Sequence, residues 1–426
     1  MADPLAADVA VVGGGPAGVA AAAVAAEAGK RVLLLEEGAR PGGQIWRHRP
    51  GGIPPKARRW LERLTRSGAV RLGAASAYAV SDSLTLSAET EAGPIAVSAK
   101  ALVLATGARE RFLPFPGWTL PNVIGVGGAQ ALLKSGVSFS GRRVVIAGSG
   151  PLLLPVAASL ARGGAGVALV AEQAPAGSVF RFAAGLAGHP GLLAEAVAYR
   201  RAFLRTPYRF GTWAVEARGT DRVEEVVMTD GKKTWTERCD VLCTGFGLVP
   251  ATELARLIGC RIEGGAVAVD GLQRTSVAGV FCAGEASGIG GVEKALAEGQ
   301  VAGCAAADRS PRAGRIAAGR RGRRHAAALS RAFGLREELR ALARPDTIVC
   351  RCEDVPASAV AGMGSAREAK LATRAGMGPC QGRVCGPALR YLFGWESDTV
   401  RVPISPVSIG TLAAIDAGAP QSKEGE

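Results

Sequence analysis

The fold is decided by residues 8–18, which read DVAVVGGGPAG. The mainly apolar run at residues 8–12 predicts a buried strand, and the glycines after it predict a tight turn into a helix. Gly13, Gly15 and Gly18 have the spacing G-x-G-x-x-G. In this pattern the first glycine allows the turn, the second lets the backbone approach a pyrophosphate, and the third lets the helix pack against the strand. The stretch therefore predicts a nucleotide-binding unit.

The residues that follow complete a strand–turn–helix–strand unit. Residues 16–28 are an alanine-rich stretch typical of a helix that ends at Gly29, and residues 31–35 (RVLLL) predict a second strand. Glu36 comes directly after that strand, where a carboxylate accepts hydrogen bonds from ribose hydroxyls. The alternative is a glycine-rich turn that serves only packing. The strand, the helix and Glu36 together favour nucleotide binding.

A second, altered copy of this unit begins about 135 positions later. Residues 143–147 (RVVIA) predict a strand that leads into Gly148 and Gly150, but the third glycine of the pattern is replaced by Leu153. A branched side chain there is expected to hold the helix away from the strand or to force a different packing. Glu172, near the end of the next strand, could still reach a ribose. An NAD(P)H site and an inherited domain that no longer uses nicotinamide both remain open. The altered motif favours the second, and a different nucleotide is a further alternative.

The nine cysteines all follow residue 238, and their odd number and uneven placement argue against a disulfide framework. Four of them form two tight groups, at Cys350 and Cys352 and at Cys380 and Cys385. Glycines around the second group free backbone amides to face sulfur. Four thiolates suit a [2Fe–2S] cluster or a structural zinc ion, and ordinary buried or disulfide-bonded cysteines are the remaining interpretation. The other five lie mostly in apolar runs and are predicted to be small core residues: Cys239, Cys243, Cys260, Cys282 and Cys304.

The net charge is positive, because 51 Lys and Arg residues face 37 Asp and Glu residues, which gives +14. Much of the excess lies in residues 309–344, which we interpret as a solvated connector or as a docking segment for an acidic partner. Nucleic acid is not expected there, because aromatic residues that could stack on bases are not interleaved. No signal peptide and no membrane span are predicted, so we expect a cytoplasmic protein, with peripheral membrane association left open.

Four segments occur in the order typical of one flavoprotein family: GGGPAG at 13–18, LLLEEGARPGGQI at 33–45, ATG at 105–107 and GVFCAGE at 279–285. They resemble the flavoproteins with two dinucleotide-binding domains, to which thioredoxin reductase and glutathione reductase belong. The resemblance implies FAD contacts from Gly13, Gly15, Pro16, Ala17, Gly18, Glu36, Gly43, Gln44, Thr106, Gly107, Gly284, Glu285 and Gly291. That family usually has Asp in place of Glu285. Disulfide reduction is excluded, because no cysteine precedes Cys239 and no C-x-x-C occurs.

Three further segments carry a more specific resemblance: IVCRCEDV at 348–355, TRAGMGPCQGRVCG at 373–386 and AGSGPLLL at 147–154. They resemble the larger subunits of opine oxidases, the flavoprotein subunit of hydrogen cyanide synthase and subunits of hydroxyproline dehydrogenases. The resemblance implies that Cys350, Cys352, Cys380 and Cys385 hold a [2Fe–2S] cluster of the bacterioferritin-associated-ferredoxin type. It also implies a partner subunit similar to D-amino-acid oxidases, with its own FAD, and it leaves room for a small third subunit and for FMN at a subunit interface.

We therefore predict an α/β fold with two Rossmann-like domains and a small C-terminal iron–sulfur domain. The predicted boundaries are an FAD-binding domain at 1–115 and 240–307, a second nucleotide-type domain at 116–239, an Arg-rich connector at 308–345 and a [2Fe–2S]-binding domain at 346–420.

The predicted function is electron transfer within a heteromeric amine or imino-acid dehydrogenase acting on opines, hydroxyproline or related compounds. Electrons would pass from the partner through [2Fe–2S] to FAD and then to an external acceptor. Two other functions stay open: a stand-alone NAD(P)H-dependent iron–sulfur flavoprotein reductase, and a non-enzymatic redox sensor or scaffold. No catalytic residue is predicted, because His48, His189 and His325 lie in no motif that spacing identifies as catalytic.

Overall fold

A computed structural model describes residues 4–48, 52–81, 83–186, 190–396 and 400–416. The chain divides into two compact units. The first contains Met1–Ala108, Pro250–Ala326 and Thr399–Glu426, and the second contains Arg109–Val249 and Ala327–Asp398. Each unit is built on a sheet of mainly parallel strands flanked by helices, with β4 (Ser76–Val80) and β5 (Thr85–Thr90) of the first unit antiparallel, so the predicted α/β class with two Rossmann-like folds is confirmed.

The strands, in chain order, are β1 Leu5–Val12, β2 Val32–Leu35, β3 Val70–Leu72, β4 Ser76–Val80, β5 Thr85–Thr90, β6 Gly93–Leu104, β7 Ala108–Glu110, β8 Val123–Gly125, β9 Arg143–Gly148, β10 Gly166–Glu172, β11 Tyr208–Phe210, β12 Trp213–Arg218, β13 Glu225–Thr229, β14 Thr234–Arg238, β15 Val241–Gly245, β16 Leu248–Pro250, β17 Ile262–Glu263, β18 Ala266–Val267, β19 Val280–Cys282, β20 Ile348–Cys350 and β21 Val355–Pro356.

The helices are α1 Pro16–Glu27, α2 Pro55–Arg66, α3 Val126–Ser135, α4 Leu153–Arg162, α5 Ala176–Gly185, α6 Pro190–Arg201, α7 Glu253–Leu257, α8 Gly291–Ala306, α9 Ala313–Ala332, α10 Ala357–Val360, α11 Ala366–Thr373, α12 Cys385–Phe393 and α13 Ile409–Asp416. The bounds of α1 agree with the helix predicted at residues 16–28 to within one residue. The segment predicted only as an Arg-rich connector contains the 20-residue helix α9.

The sheet of the first unit has the strand order β3-β2-β1-β6-β5-β4, with β19 also paired to β6. Its parallel strands end level with one another: Val12 pairs with Leu35 on β2 and with Leu104 on β6, and Leu104 pairs with Cys282 on β19. The residues that follow these strands therefore all leave the sheet at one edge. In open parallel sheets, ligands bind at the carboxyl ends of the strands.

Helices α1 and α8 of the first unit approach each other very closely. A Cβ at Gly299 would lie 2.2 Å from the carbonyl oxygen of Ala17, and a Cβ at Gly303 would lie 2.4 Å from that of Ala21. Most of α1 is alanine and fully buried, so small side chains on both helices make this contact possible. The packing fixes α8 beside the first glycine loop.

The second unit repeats the design with the parallel order β11-β10-β9-β15-β8 and adds the antiparallel sheet β12-β13-β14. Gly148 at the end of β9 pairs with Glu172 on β10 and with Gly245 on β15. The segment that carries the four grouped cysteines also falls in this unit. It has a small core of its own, which includes Cys350, Cys385 and the hairpin β20–β21.

Candidate functional site

The first glycine loop has the geometry that the sequence predicts for a dinucleotide site. Gly13 has φ +103°, and a Cβ there would lie 2.3 Å from the carbonyl oxygen of Ala105. A Cβ at Gly18 would lie 1.8 Å from the carbonyl oxygen of Gly13, so α1 can begin this close to β1 only with glycine. At Gly15, by contrast, a Cβ would meet no protein atom within 4 Å. The space that Gly15 leaves open is where a pyrophosphate would approach.

Glu36 lies beside this loop, at the end of β2. Its carboxylate accepts hydrogen bonds from the N–H of Gly14 (2.5 Å) and from the N–H of Gly38 (2.9 Å). An open groove adjoins it, with Arg40 and Arg71 among its lining residues. A partly exposed carboxylate next to an open groove can accept from ribose hydroxyls at the adenosine end of a dinucleotide.

Two further predicted segments lie near this loop, at residues 42–44 and at residues 105–107. The N–H of Gly42 donates to the carbonyl of Gly14 (2.7 Å), and a Cβ at Gly43 would lie only 3.0 Å from the Cα of Gly15. These contacts also place Gln44 near the glycine loop. Thr106 follows β6 and donates from Oγ1 to the carbonyl of Ala251 (2.7 Å). Gly107, next to it, accepts from the N–H of Ala251 (3.0 Å).

The last predicted segment, residues 284–291, follows β19 at the same sheet edge. A Cβ at Gly284 would lie 2.8 Å from the Cβ of Ala17, which shows how tightly this turn sits on α1. Burial raises the pKa of Glu285, while the N–H of Gly291 (3.4 Å) and Lys294 act in the opposite direction. The carboxyl group of Glu285 therefore lies at the N-terminus of α8. The structure brings the predicted FAD-contact residues together within one unit.

A buried ionic network that the sequence interpretation missed holds this last segment. Lys294 and Glu298 are 1% and 0% exposed and are joined by a 2.7 Å ion pair. Lys294 also donates to the carbonyl of Gly284 (2.8 Å), Glu298 accepts from Ser287 (2.9 Å), and Arg323 donates to Glu298 (2.9 Å). A Lys and a Glu four residues apart in an otherwise small and apolar helix were the available signal, because buried charges require partners.

The second glycine loop differs from the first where the third glycine is missing. Relative to the first glycine of each motif, α4 begins two residues later than α1. The N–H of Leu153 donates back to the carbonyl of Gly150 (3.2 Å), and the Leu153 side chain is buried. The later start of α4 and the buried Leu153 side chain agree with the different packing predicted for a branched residue at this position. The delayed helix also uses an N–H group that would otherwise face a phosphate.

Glu172 occupies the position in the second unit that Glu36 has in the first, but it is completely buried. It accepts from the N–H of Gly150 (2.7 Å) and from the N–H of Ala174 (2.8 Å). Burial raises its pKa to about 7, although these hydrogen bonds favour the charged form. This carboxyl group therefore changes its protonation state near neutral pH.

The raised pKa of Glu172 predicts that the folded state loses stability as pH rises from about 4.5 to about 7. The folded protein binds more protons than the unfolded chain in that range, so each increase in pH favours unfolding. The loss is at most about 3.5 kcal/mol, since one pKa unit corresponds to about 1.4 kcal/mol. Chemical denaturation across this range should show the decline in the wild-type protein and a smaller one in Glu172→Gln, which keeps a neutral group. Parallel curves for the two proteins would contradict the assignment.

The four grouped cysteines come together as two thiol pairs in the second unit. The thiols of Cys352 and Cys380 are hydrogen-bond partners, and so are those of Cys350 and Cys385, with Cys380 close enough to act electrostatically on Cys385. The N–H of Gly376 donates to Cys350 Sγ (3.4 Å). Among the described residues, no group of three or more His, Cys, Asp or Glu side chains is arranged to hold a metal ion in this structure.

The backbone around the second cysteine pair is arranged to stabilise negative sulfur. Gln381 and Gly382 have positive φ values of +48° and +77°, which turn successive N–H groups toward one side. Burial alone would raise the pKa of the Cys380 thiol, but hydrogen bonds from the N–H of Val384, from the Cys352 thiol and from the N–H groups of Gly382 and Arg383 together hold it below its ordinary value. Arg374, which lies between the two cysteine groups in sequence, pairs with Glu353 (2.7 Å).

The other five cysteines are buried and unpaired by disulfides, as expected for small core residues. Burial raises the pKa of the Cys243 and Cys282 thiols, so both are neutral and unreactive. Of the histidines, His48 has its Nδ1 2.6 Å from the carbonyl oxygen of Trp46, and His189 lies outside the described residues. None of the helices in the described ranges is long and apolar enough to cross a membrane.

Comparison with known proteins agrees with this geometry. A family described as pyridine nucleotide-disulphide oxidoreductase matches residues 7–299. The HcnB subunit of hydrogen cyanide synthase from Pseudomonas aeruginosa is 32% identical, over 94% of this chain and 94% of its own. A subunit of opine oxidase from Rhizobium meliloti is 33% identical, over 95% of this chain and 98% of its own.

Solved structures show the same fold. The chain resembles L-proline dehydrogenase from P. horikoshii with a TM-score of 0.68 and 21% identity, over 96% of this chain and 80% of that one. It resembles T. acidophilum thioredoxin reductase with a TM-score of 0.58 and 20% identity, over 71% of this chain and 98% of that one. Almost all of the reductase matches only 71% of this chain, so this chain contains residues beyond the fold that the two proteins share.

Proposed function

Because the chain belongs to the pyridine nucleotide-disulphide oxidoreductase family, we propose that it carries electrons on FAD as one subunit of a heteromeric amine or imino-acid dehydrogenase. The observation that carries the proposal is the arrangement of the first unit. Four loops that are distant in sequence converge at one sheet edge around the space left open at Gly15. The similarity to named enzyme subunits extends over almost the whole chain, so the proposal concerns one part of a larger enzyme.

The residues present fit FAD, and each part of the site has a physical role. The N-terminus of α1 and the loop at Gly15 bind the pyrophosphate, because unpaired N–H groups and the helix dipole favour negative charge. Glu36 orients the ribose of the adenosine end. The turn at Glu285 and the N-terminus of α8 hold the flavin end, where a positive helix terminus favours an anionic ring. Bound FAD supplies a carrier that takes up electrons singly or in pairs.

We propose that the four grouped cysteines are the ligands of a [2Fe–2S] cluster. Two thiol pairs lie close together, and the N–H of Gly376 already points at Cys350 Sγ, as N–H groups do at cluster sulfur atoms. The pKa of Cys380 is lowered, which favours the thiolate form that a metal requires. Such a cluster supplies one-electron transfer. In this proposal Cys350, Cys352, Cys380 and Cys385 hold the cluster that passes electrons from the partner subunit to the FAD of this chain.

The oxidation of the C–N bond is assigned to a partner subunit similar to D-amino-acid oxidases, with its own FAD. Its substrate would be an N-alkylated amino acid, an imino acid or glycine. A small third subunit and FMN at a subunit interface are compatible with this assembly. The comparisons support the heteromeric part of the proposal, because the similar proteins are named as subunits of opine oxidase and hydrogen cyanide synthase.

The relay is tested with the complex obtained by expressing this chain together with the amine-oxidase-like subunit. Cys380→Ser should slow substrate-dependent reduction of an artificial electron acceptor at least about tenfold, because thiolate rather than hydroxyl is the ligand that iron–sulfur clusters require. The partner flavin should still be reduced by substrate in a single turnover. Cys239→Ser, at a buried position of the same unit, is the matched control. Acceptor reduction by Cys380→Ser at the wild-type rate would refute the relay.

A further inference from the structure

We propose that residues 333–336 of this chain occupy the adenosine half of the second nucleotide site and so exclude NAD(P)H as an electron donor. Residues 333–336, called the plug below, follow helix α9 and belong to the same unit as the second glycine loop. The inference concerns which donor the flavoprotein accepts. It does not depend on the cluster or on the partner subunit.

The plug is hydrogen-bonded to the residues that would face a nucleotide. Ser149, between the two glycines of the motif, donates from Oγ to the carbonyl of Phe333 (2.9 Å). Gln173 directly follows β10, the second strand of the strand–turn–helix–strand motif. In nucleotide-binding domains, ribose hydroxyls are bound from the end of that strand. Its Nε2 donates to the carbonyl of Gly334 (3.0 Å) and to Ser149 Oγ (2.8 Å), and its Oε1 accepts from the N–H of Arg336 (3.2 Å).

The residues of the second nucleotide site that would face a ribose are buried. Ser149 is 6% exposed, and Glu172 and Gln173 are both 0% exposed. In the first unit, Glu36 keeps part of its surface and adjoins an open groove. Because Gln173 is hydrogen-bonded to Gly334 and Arg336 of the plug, a ribose cannot reach its side chain without displacing the plug. The two units therefore share the strand–turn–helix design, while only the first keeps its ribose-binding carboxylate accessible.

Contacts on both sides hold the plug in place. The ring of Phe333 packs edge-on against Phe182, with ring centroids 5.4 Å apart. The guanidinium of Arg336 lies over the Trp213 ring at 4.1 Å from its centroid, and the Tyr391 hydroxyl donates to the carbonyl of Arg336. A tethered segment acts at an effective concentration on the order of millimolar, so the plug competes with a nucleotide more strongly than a free peptide of the same sequence would.

The groups that would bind a pyrophosphate in this loop are also in use. The N–H of Gly150 donates to Glu172, the N–H of Ser149 donates to Gly245, and the N–H of Leu153 donates to Gly150. A phosphate would have to break these bonds in addition to moving the plug. The replacement of the third glycine by Leu153 is therefore part of a site that no longer binds an external dinucleotide.

The first test is anaerobic mixing of the full FAD-loaded chain with NADH and with NADPH, and equilibrium dialysis of the same protein with NADH, NADPH and ATP. We expect no bleaching of the flavin and no saturable binding below about 1 mM, the effective concentration of a tethered competitor. Micromolar binding of any of the three nucleotides would overturn the proposal. A visible spectrum recorded beforehand shows whether the purified chain contains FAD. A chain without FAD would refute the proposed function, and this result is distinct from nucleotide binding, which would refute the plug.

The second test asks whether the plug itself closes the site. Arg336→Ala removes the contact with Trp213, whereas Arg344→Ala removes an exposed ion pair with Glu216 and serves as the matched control. Hydrogen–deuterium exchange at residues 149–150 and 172–174 should rise roughly tenfold in Arg336→Ala and remain unchanged in Arg344→Ala. Equal exchange in the two variants would refute the plug. If Arg336→Ala does not fold, the nucleotide-binding measurement on the wild-type chain still decides.

Discussion

Gly15→Ala should fold like the wild-type protein and yet fail to retain FAD. Gly15 has φ −70° and ψ −177°, an extended conformation that alanine adopts without strain, and its added Cβ would meet no protein atom within 4 Å. That methyl group would stand where the pyrophosphate must approach the N-terminus of α1. Losing one or two hydrogen bonds to a charged group, at about 1.5–3 kcal/mol each, corresponds to roughly 100-fold weaker FAD binding.

Two neighbouring substitutions make this test specific. Gly18→Ala should unfold at a clearly lower temperature, because its Cβ would overlap the carbonyl oxygen of Gly13. Gly314→Ala, in α9, should leave FAD content unchanged and the protein at least as stable, since its Cβ also meets no protein atom within 4 Å and alanine favours the helix more than glycine does. The measurements are thermal unfolding and titration of the apoprotein with FAD by flavin fluorescence. If Gly15→Ala binds FAD with wild-type affinity, the pyrophosphate does not lie at this loop.

Cys385→Ala should reduce the iron and acid-labile sulfide content from about two of each per chain to near zero. The Cys385 thiol is buried, pairs with Cys350 and lies near Cys380, so its loss leaves one ligand position empty at the centre of the group. FAD should remain bound, because the FAD loops belong to a different unit of the chain. The measurement is iron, sulfide and flavin content of the anaerobically purified protein.

The matched control is Cys239→Ala, which removes an equally buried thiol from the same unit without touching the grouped cysteines. It should retain iron and sulfide and lose only the modest stability expected of a small cavity, on the order of 1 kcal/mol. Equal loss of iron in both variants would indicate general misfolding. Undiminished iron in Cys385→Ala would remove Cys385 from the ligand set.

The first unit could be predicted closely from sequence, because its signals are local. The strand before Gly13, the glycine spacing and the carboxylate after the second strand lie within 30 residues of one another, and each has a distinct steric or polar reason. The same holds for the two cysteine groups, whose tight spacing indicates a shared site. How the groups pair, with Cys350 beside Cys385, is a tertiary contact that spacing does not determine.

The features that sequence did not predict depend on polar contacts between distant positions. Ser149 and Phe333 are 184 residues apart, and a hydrogen bond to a backbone carbonyl leaves no pattern in the side chains. Lys294 and Glu298 could have been noticed as a helical pair, but their burial beneath residues 284–287 depends on packing. Helix α9 lies in the segment predicted as a solvated connector, although the arginine and alanine residues that dominate it both favour helices.

The most direct test of the proposed electron carrier is one determination of FAD, iron, acid-labile sulfide and zinc in the anaerobically purified chain. We expect about one FAD, two iron atoms and two sulfide ions per chain, with no zinc. That result would support both cofactor sites at once and direct attention to the partner subunit. FAD accompanied by zinc without sulfide would make the cysteine segment structural, and a protein that binds no flavin would refute the proposed carrier role altogether.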